Sequence, residues 1–287
     1  MNRIMLLLLA LLLPFASHAG GPGAVRKQIE SSMLVTGWVS IAADGSLTKL
    51  EMDEREKLPQ GVVGLVEQNS AHWRFEPVLV NGVARKAKAR MSLRVVAKKV
   101  DAELYQLSIR SGYFGEEAQT PEEYVARPDA IKPLAMKPPM YPENAARMGA
   151  RGTVYVVLKI ARDGSVQESF AEQVNLQVIG SENQMASMRT MFSKAALSAA
   201  KKWTFQPPAP GGSAAETGWV VRVPVDFQFF GYERPTYGQW DSYVPGPTQR
   251  APWDTDATGE HAPDAMIAGM LYDARNSLRL LTPLQPG

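Results

Sequence analysis

The chain has 287 residues, which is enough for two domains of ordinary size. Its composition, 45% hydrophobic and 21% charged, is that of a globular protein rather than a disordered one. The 31 basic and 29 acidic residues nearly cancel, and no dense basic segment occurs, so the sequence gives no electrostatic basis for nucleic-acid binding. The absence of cysteine excludes disulfides, thiolate metal sites and cysteine nucleophiles.

Residues 1–19 have the pattern of a secretory signal peptide. Arg3 supplies a positive charge ahead of a leucine-rich run at 4–13, which is about half the length that a bilayer span requires. Ser17 and Ala19 place small residues at the two positions that a signal peptidase reads. We therefore predict cleavage after Ala19 and export to the periplasm, whereas an uncut N-terminus would anchor the protein in the inner membrane.

Two parts of the sequence repeat each other. Residues 39–47 align with residues 158–166, and five of the nine positions are identical. The segment at 73–77 aligns with that at 203–207, and both read Trp-x-Phe-x-Pro. A third apolar block follows each Trp by about 20 residues. This recurrence in the same order predicts a duplicated module.

Each copy predicts a strand, an Asp-Gly hairpin turn, a second strand, a helix and a closing strand. Gly follows Asp44 and Asp163 because a tight turn demands a positive φ. In the second copy, Ser181 and Gln184 form the pattern of a capping box at the start of the helix. Trp203 ends the apolar face of that helix, so we predict a core anchor rather than a ligand-stacking platform.

The remaining segments predict the domain boundaries. Residues 111–135, which are acidic and carry Pro, predict a linker between a first module at 20–110 and a second at 136–232. Residues 233–287 predict a tail rich in Pro and aromatic residues that ends in a short helix, capped by Asp264. The aromatic side chains of this tail are suited to a glycan or a peptide, but we favour their covering an apolar patch of the modules.

The second copy resembles the TonB C-terminal domain family. That family opens with Tyr-Pro, a short Ala-bearing helix and Gly-x-x-Gly running into a strand, as residues 139–152 do. The Asp-Gly turn, the Ala-rich helix, the Trp-x-Phe-x-Pro motif and the closing strand then follow in the family's order. The resemblance covers about residues 136–230. The first copy lacks the Tyr-Pro opening and is interpreted as a divergent member.

The resemblance implies an α+β fold with two tandem modules, each a small three-stranded antiparallel sheet packed with one or two helices. In this family the exposed last strand pairs with N-terminal peptides of outer-membrane TonB-dependent transporters. This is strand addition, in which main-chain hydrogen bonds supply the affinity. The peptide-binding residues that the resemblance implies are Tyr141, Pro142, Trp219, Val221, Val223, Val225, Phe227 and Phe229.

The residues that could carry catalysis are few. Asp44 and Asp163 each precede a turn glycine, which explains their recurrence without chemistry. His72 and His261 lie in different regions, and their spacing suggests neither a metal site nor a catalytic triad. We therefore predict no catalytic residue, no metal and no cofactor.

These observations predict a periplasmic TonB-like protein that binds envelope partner proteins by strand addition, in connection with TonB-dependent transport across the outer membrane. The alternative is a non-catalytic scaffold whose modules pair with each other or with a second copy as a homodimer. TonB itself has an uncleaved membrane anchor and a long Pro-rich spacer, which this sequence does not match. A third hypothesis, a genuine energy transducer, requires that the apolar N-terminus stay uncut.

Overall fold

The computed structural model describes residues 21–101, 104–115, 131–208, 218–233, 235–253, 263–268, 270–273 and 278–285. The predicted signal peptide and His261 lie outside these residues. Within the described part of the chain, no helix is long and apolar enough to cross a membrane.

The first half of the chain builds an antiparallel sheet with a helix on one face. Strands β2, β1, β5 and β6 are neighbours in that order, and the helix α2 buries Val62 and Val66 against them. The elements are α1 (Pro22–Arg26), β1 (Glu30–Ile41), β2 (Leu47–Met52), α2 (Gln60–Ser70), β3 (Val78–Val80), β4 (Val83–Arg85), β5 (Ala87–Lys99) and β6 (Tyr105–Gly115).

The second half builds a sheet with the same central topology. Strands β9, β8 and β11 are antiparallel neighbours, and α4 packs on them through Met185, Met188 and Phe192. The elements are β7 (Lys132–Ala135), α3 (Glu143–Arg147), β8 (Gly152–Ile160), β9 (Val166–Leu176), α4 (Glu182–Ala200), β10 (Thr204–Gln206), β11 (Trp219–Phe227), β12 (Asp241–Tyr243) and β13 (Tyr272–Asp273). The α+β class with antiparallel sheets is therefore confirmed.

The start of α4 carries the predicted capping box. The Ser181 side-chain oxygen accepts from the Gln184 main-chain N–H at 3.4 Å, and the Ser181 N–H donates to Gln184 Oε1 at 2.8 Å. These reciprocal bonds satisfy two donors that the first turn of a helix leaves unpaired. The helix thus begins where the sequence predicts.

The two Asp-Gly turns have the same hydrogen bonds. Asp44 Oδ1 accepts from the N–H of Ser46 at 3.0 Å and from its hydroxyl at 2.6 Å. Asp163 Oδ1 accepts from the N–H of Ser165 at 2.9 Å and from its hydroxyl at 2.6 Å. These bonds lower the pKa of both carboxyl groups, and the bond from the serine hydroxyl has the largest effect in each case. Both carboxylates therefore stabilise turns.

Each turn also contacts the Trp-x-Phe segment of its own module. The Phe75 N–H donates to the Gly45 carbonyl at 2.8 Å, and the Phe205 N–H donates to the Gly164 carbonyl at 2.9 Å. Both glycines have positive φ, and a Cβ on either would collide with the carbonyl of the same Phe. The two motifs recur together because they touch.

The structure differs from the predicted linker at 111–135. Residues 111–115 are the end of β6, which pairs along β5 from Arg90 to Lys99, and Lys132–Ala135 is β7. The first sheet therefore has more than the three strands expected. The acidic, Pro-bearing composition that suggested a linker belongs mainly to residues 116–130, which lie outside the described part of the chain.

The helix predicted to end the tail is absent from the described residues. Pro263–Ala265 form one 3₁₀ turn, Tyr272–Asp273 form β13, and Leu280 makes a β-bridge with Phe75. Short apolar runs fit helical and extended structure alike. At Tyr272–Asp273 and Leu280 the main chain of this tail pairs with the two modules instead of forming a helix.

The tail and the N-terminal segment interlock the two modules. β12 pairs with the start of β1 in the first sheet, and the next residue, Val244, bridges Leu176 at the end of β9 in the second. Val25 of α1 is buried in the core of the second module, although β1 belongs to the first. The boundaries predicted at 20–110 and 136–232 therefore do not separate two independent bodies.

The tail also supplies the first module with a piece of chain that the second module has locally. The Trp203 indole N–H donates to the Lys137 carbonyl at 2.8 Å, and the Trp73 indole N–H donates to the Leu284 carbonyl at 3.1 Å. Phe205 pairs with β7, and its counterpart Phe75 bridges the tail. In the first module, residues 279–284 thus occupy the position that residues 132–137 occupy in the second.

Replacing Trp203 with Ala should lower the free energy of unfolding by about 3–5 kcal/mol, because the side chain is 3% exposed and a large cavity would remain. Chemical denaturation with a melting curve measures this. The control is Phe230→Ala, whose side chain is fully exposed and whose loss should change stability by less than about 0.5 kcal/mol. A fall in Tm of less than about 2 °C for Trp203→Ala would contradict the core assignment.

Leu284→Ala tests whether the tail is part of the first module's core. Leu284 is 3% exposed, so we expect a loss of about 2–5 kcal/mol and a red shift of tryptophan fluorescence as Trp73 becomes hydrated. Leu281→Ala, at a residue 54% exposed in the same segment, is the matched control and should cost much less. Equal effects of the two substitutions would mean that the tail only rests on the surface.

Candidate functional site

The predicted peptide-binding edge lies on β11, and its named side chains face the core. Trp219, Val221, Val223, Val225 and Phe227 are each at most 7% exposed and belong to the core of the second module. This follows from the period of two in a strand, which sends alternate side chains to one face. A partner at this edge would therefore meet the main chain of β11 rather than these side chains.

Phe229 lies two residues beyond the end of β11 and joins an aromatic cluster. Its ring stacks on Tyr141 with centroids 5.3 Å apart and an interplanar angle of 20°. Tyr141 also meets Phe192 and Phe227 edge-on, each at 5.8 Å. The structure thus brings Tyr141 to the end of β11, whereas Trp219 begins the strand at its other end.

The Tyr-Pro pair organises the entry into the short helix α3. The Tyr141 hydroxyl donates to the Ala150 carbonyl, and burial raises the pKa of that hydroxyl. Pro142 is the N-cap residue of α3. These contacts hold residues 141–150 as a closed turn against the aromatic cluster, so both residues position backbone near β11.

The outer edge of β11 is only partly occupied. On the side away from β8, Tyr272–Asp273 of β13 pair with Val221 and Arg222. No strand among the described residues pairs with residues 223–227 on that side. An unpaired edge exposes N–H and C=O groups that can pair with another chain.

Pro224 modifies the hydrogen bonds that this edge can offer. Proline has no N–H, and inside a sheet it is tolerated where its nitrogen faces away from the neighbouring strand. Pro224 lies opposite Tyr155 of β8 in an otherwise regular pairing. The free edge therefore provides a carbonyl but no donor at position 224.

The corresponding edge of the first module is paired from Arg90 onward. β6 pairs with β5 at ten positions, from Arg90↔Gly115 to Lys99↔Tyr105. β5 is the closing strand of that module, as β11 is of the second. Among the described residues, β5 lacks a neighbour on this side only at 87–89, so the longer unpaired stretch is that of β11 at 223–227.

The second face of the β11 sheet carries polar residues that sequence reasoning missed. Arg222 Nε and Nη2 donate to the two oxygens of Glu172 at 2.9 and 3.0 Å, and Glu172 is fully buried. The tail meets the outer edge of β9 at the same residue, since the Gln249 N–H donates to the Glu172 carbonyl at 2.7 Å. The available signal was Arg222, the one basic residue of β11, opposite the acidic residues of β9 on the other side of β8. An Arg–carboxylate fork of this kind is suited to holding strands together.

Where the two sheets meet, Arg94 is held by three oxygens. Its guanidinium donates to the Asp264 carbonyl at 2.6 Å, to Ser32 Oγ at 2.8 Å and to the Tyr155 hydroxyl at 3.4 Å. Burial raises the pKa of Tyr155 to about 12, so this hydroxyl stays protonated at neutral pH. The described residues contain no group of three or more side chains that could hold a metal ion. The contacts of Arg94 hold the two sheets and the tail together at this junction.

Comparison with known proteins agrees with this geometry. Residues 137–229 match the family model described as Gram-negative bacterial TonB protein C-terminal. The chain is 39% identical over 90 residues to Protein tonB2 of Pseudomonas aeruginosa, covering 31% of this chain and 28% of that protein. It is 33% identical over 104 residues to Protein TonB of the same organism, covering 36% of this chain and 25% of that protein. No solved structure matches.

The chain thus spans about a quarter of the length of the curated relatives that it matches. The matched region begins just before Tyr141 and ends at Phe229, so it contains the Tyr-Pro opening, the Asp-Gly turn, α4 and the closing strand. Residues 137–229 of the chain are therefore a domain of the TonB C-terminal family.

Proposed function

We propose that this protein is a TonB-like component of the cell envelope that binds a partner by strand addition to β11. The observation that carries the proposal is the unpaired stretch at 223–227 of β11, which ends beside the stacked rings of Tyr141 and Phe229. An added strand gains main-chain hydrogen bonds along this stretch. The relatives named TonB support a role connected with energy transduction in the envelope.

The proposed location is the periplasm, and the proposed ligand is the N-terminal peptide of an outer-membrane TonB-dependent transporter. The aromatic end of the edge gives such a peptide a second contact, because Phe229 is 38% exposed and Phe230 is fully exposed beside it. A peptide with an apolar side chain at the matching end gains from covering these rings. Main-chain pairing then supplies affinity and the two rings supply selectivity.

The first module is proposed to be a divergent copy that does not bind by this route. Its Asp-Gly turn and Trp-x-Phe segment make the same bonds as those of the second module. Its closing strand, however, already has β6 as a neighbour. The role proposed for it is to hold the second module through the shared tail.

Titration of the isotopically labelled full-length protein with transporter N-terminal peptides tests strand addition. We expect slowed hydrogen exchange at Asp226, whose N–H faces the free edge because it lies two residues from Pro224. Smaller amide shifts are expected at Val223, Val225 and Phe227, whose N–H groups face β8. Val221 and Arg222 should respond less because β13 already pairs with them. The measurement is a two-dimensional amide NMR spectrum recorded across the titration.

A peptide of the same sequence, N-methylated at alternate residues, is the matched control. It keeps every side chain but loses main-chain donors, so strand addition predicts that it binds far more weakly. Equal binding of both peptides would point to a side-chain site. An absence of shifts up to about 1 mM peptide would sink the transporter proposal and favour a non-catalytic scaffold.

Pro224→Ala should tighten binding of the unmodified peptide. It adds an N–H at the free edge, and one net hydrogen bond contributes about 0.5–1.5 kcal/mol, which is roughly two- to tenfold in Kd. Isothermal titration calorimetry measures the change. Thr236→Ala, at an exposed residue outside β11, is the control. Weaker binding by a folded Pro224→Ala protein would show that the peptide lies elsewhere.

A further inference from the structure

A second concave surface lies on the outer side of α4, and it reaches the end of β11 at Tyr141. It is a groove of about 880 Å³ between this helix and the extended segment 135–142. Met191, Ala195 and Ala199 line it from the helix, and Met140 and Tyr141 line it from the segment. These helix residues are partly buried and differ from those that α4 turns to the sheet.

The extended segment 135–142, which forms one wall of this groove, is fixed by contacts at Lys137 and at Tyr141. At one end the Trp203 indole N–H donates to the Lys137 carbonyl at 2.8 Å. At the other, Tyr141 is held by the Ala150 carbonyl and by its stack on Phe229. Between them, Pro138 and Pro139 have restricted backbone conformations. A groove with such a wall needs little ordering when a ligand binds, which favours affinity.

The groove combines an apolar lining with a basic rim. Met140 is 89% exposed, although its side chain is large and apolar. Lys137, Lys194 and Lys202 line the opening, and none of them forms an ion pair with another described residue. Among the residues that the structure describes, none of those lining the groove is acidic. A ligand with apolar side chains over this lining and acidic residues beside them would therefore be complementary in charge to the three lysines.

We propose that this groove binds an amphipathic, acidic peptide segment of an envelope partner protein, at a site separate from strand addition on β11. Apolar side chains of the segment fill the space over Met191 and Ala195, while its carboxylates meet the three lysines. An apolar face laid into a groove is an established mode of peptide recognition. A protein segment fits better than a bilayer surface, because walls on both sides enclose individual side chains.

Fluorescence anisotropy with the full-length protein tests this site. The probe is a labelled amphipathic helical peptide with Leu on one face and Glu on the other, which is unsuited to adding a strand. We expect binding that weakens as salt is added. Two matched peptides, one with Lys for Glu and one with Ser for Leu, should both bind much more weakly. Binding of either as tight as that of the probe, or no binding of the probe up to about 1 mM, overturns the proposal.

The double substitution Lys194→Gln and Lys202→Gln should weaken probe binding about three- to tenfold, as expected for the loss of two exposed ion pairs. Met140→Ser should weaken it through the apolar contact. Both changes are at exposed side chains, so folding is retained. The control Lys98→Gln with Lys99→Gln removes the same charge from the exposed end of β5 and should leave the affinity unchanged. Equal effects of the two double substitutions overturn the site.

Two further measurements distinguish the acidic peptide from other occupants of the groove, and the peptide titration distinguishes the groove from the β11 site. Binding to phosphatidylglycerol vesicles that displaces the probe and is lost with Lys194→Gln and Lys202→Gln would replace the peptide by a membrane surface. A concentration-dependent dimer in light scattering, lost with the same changes, would replace it by a second copy. The transporter-peptide shifts at β11 should survive these substitutions. Their joint loss with probe binding would mean that the two surfaces are one site and overturn the proposal of a separate groove.

Discussion

The main-chain hydrogen bond between the hairpin turn and the Trp-x-Phe segment sets the geometry of each module. With Phe75 bonded to Gly45, and Phe205 to Gly164, the Trp two residues earlier points into the core. A buried indole N–H requires an acceptor, because an unpaired donor costs about 1–3 kcal/mol. That acceptor comes from chain outside the strand–helix–strand unit, so each module needs one further segment. Residues 132–137 supply it in the second module and residues 279–284 in the first.

This requirement explains which parts of the fold could be predicted from the sequence. The turns, the capping box and the central strands depend on neighbours close in the chain, so residues such as Asp163 and Ser181 indicate them directly. The acceptor for Trp73 is Leu284, which lies 211 positions away, and no local pattern marks that pairing. Leu278 and Leu281 have helical spacing, yet their segment is extended because Phe75 and Arg74 offer it main-chain partners. Periodicity reports which residues are apolar, and tertiary partners decide the conformation.

The closing strand β11 was predictable from the sequence, but the groups at its free edge were not. Alternating apolar residues predicted a strand that begins at Trp219, as β11 does, although the apolar pattern continues to Phe230 and β11 ends at Phe227. The same alternation sends Val221, Val223 and Val225 into the core, because side chains stand above and below a sheet while its hydrogen-bonding groups lie in the plane. Because the site consists of main-chain groups, the side chains that point into the core do not define what it binds. Its properties depend on neighbours instead: the tail strand β13 and a proline that removes one donor.

The neighbours of β11 also limit what can be added to it. A partner strand confined to residues 223–227 meets five positions and leaves β13 in place. A longer strand must displace Tyr272 and Asp273, a few residues before the tail enters the first module at Leu278. Since Leu278, Leu280 and Leu284 pack against the core there, loosening the tail on one module weakens its packing on the other. The tail that completes the first module therefore sets the length of strand that the second module can accept without cost.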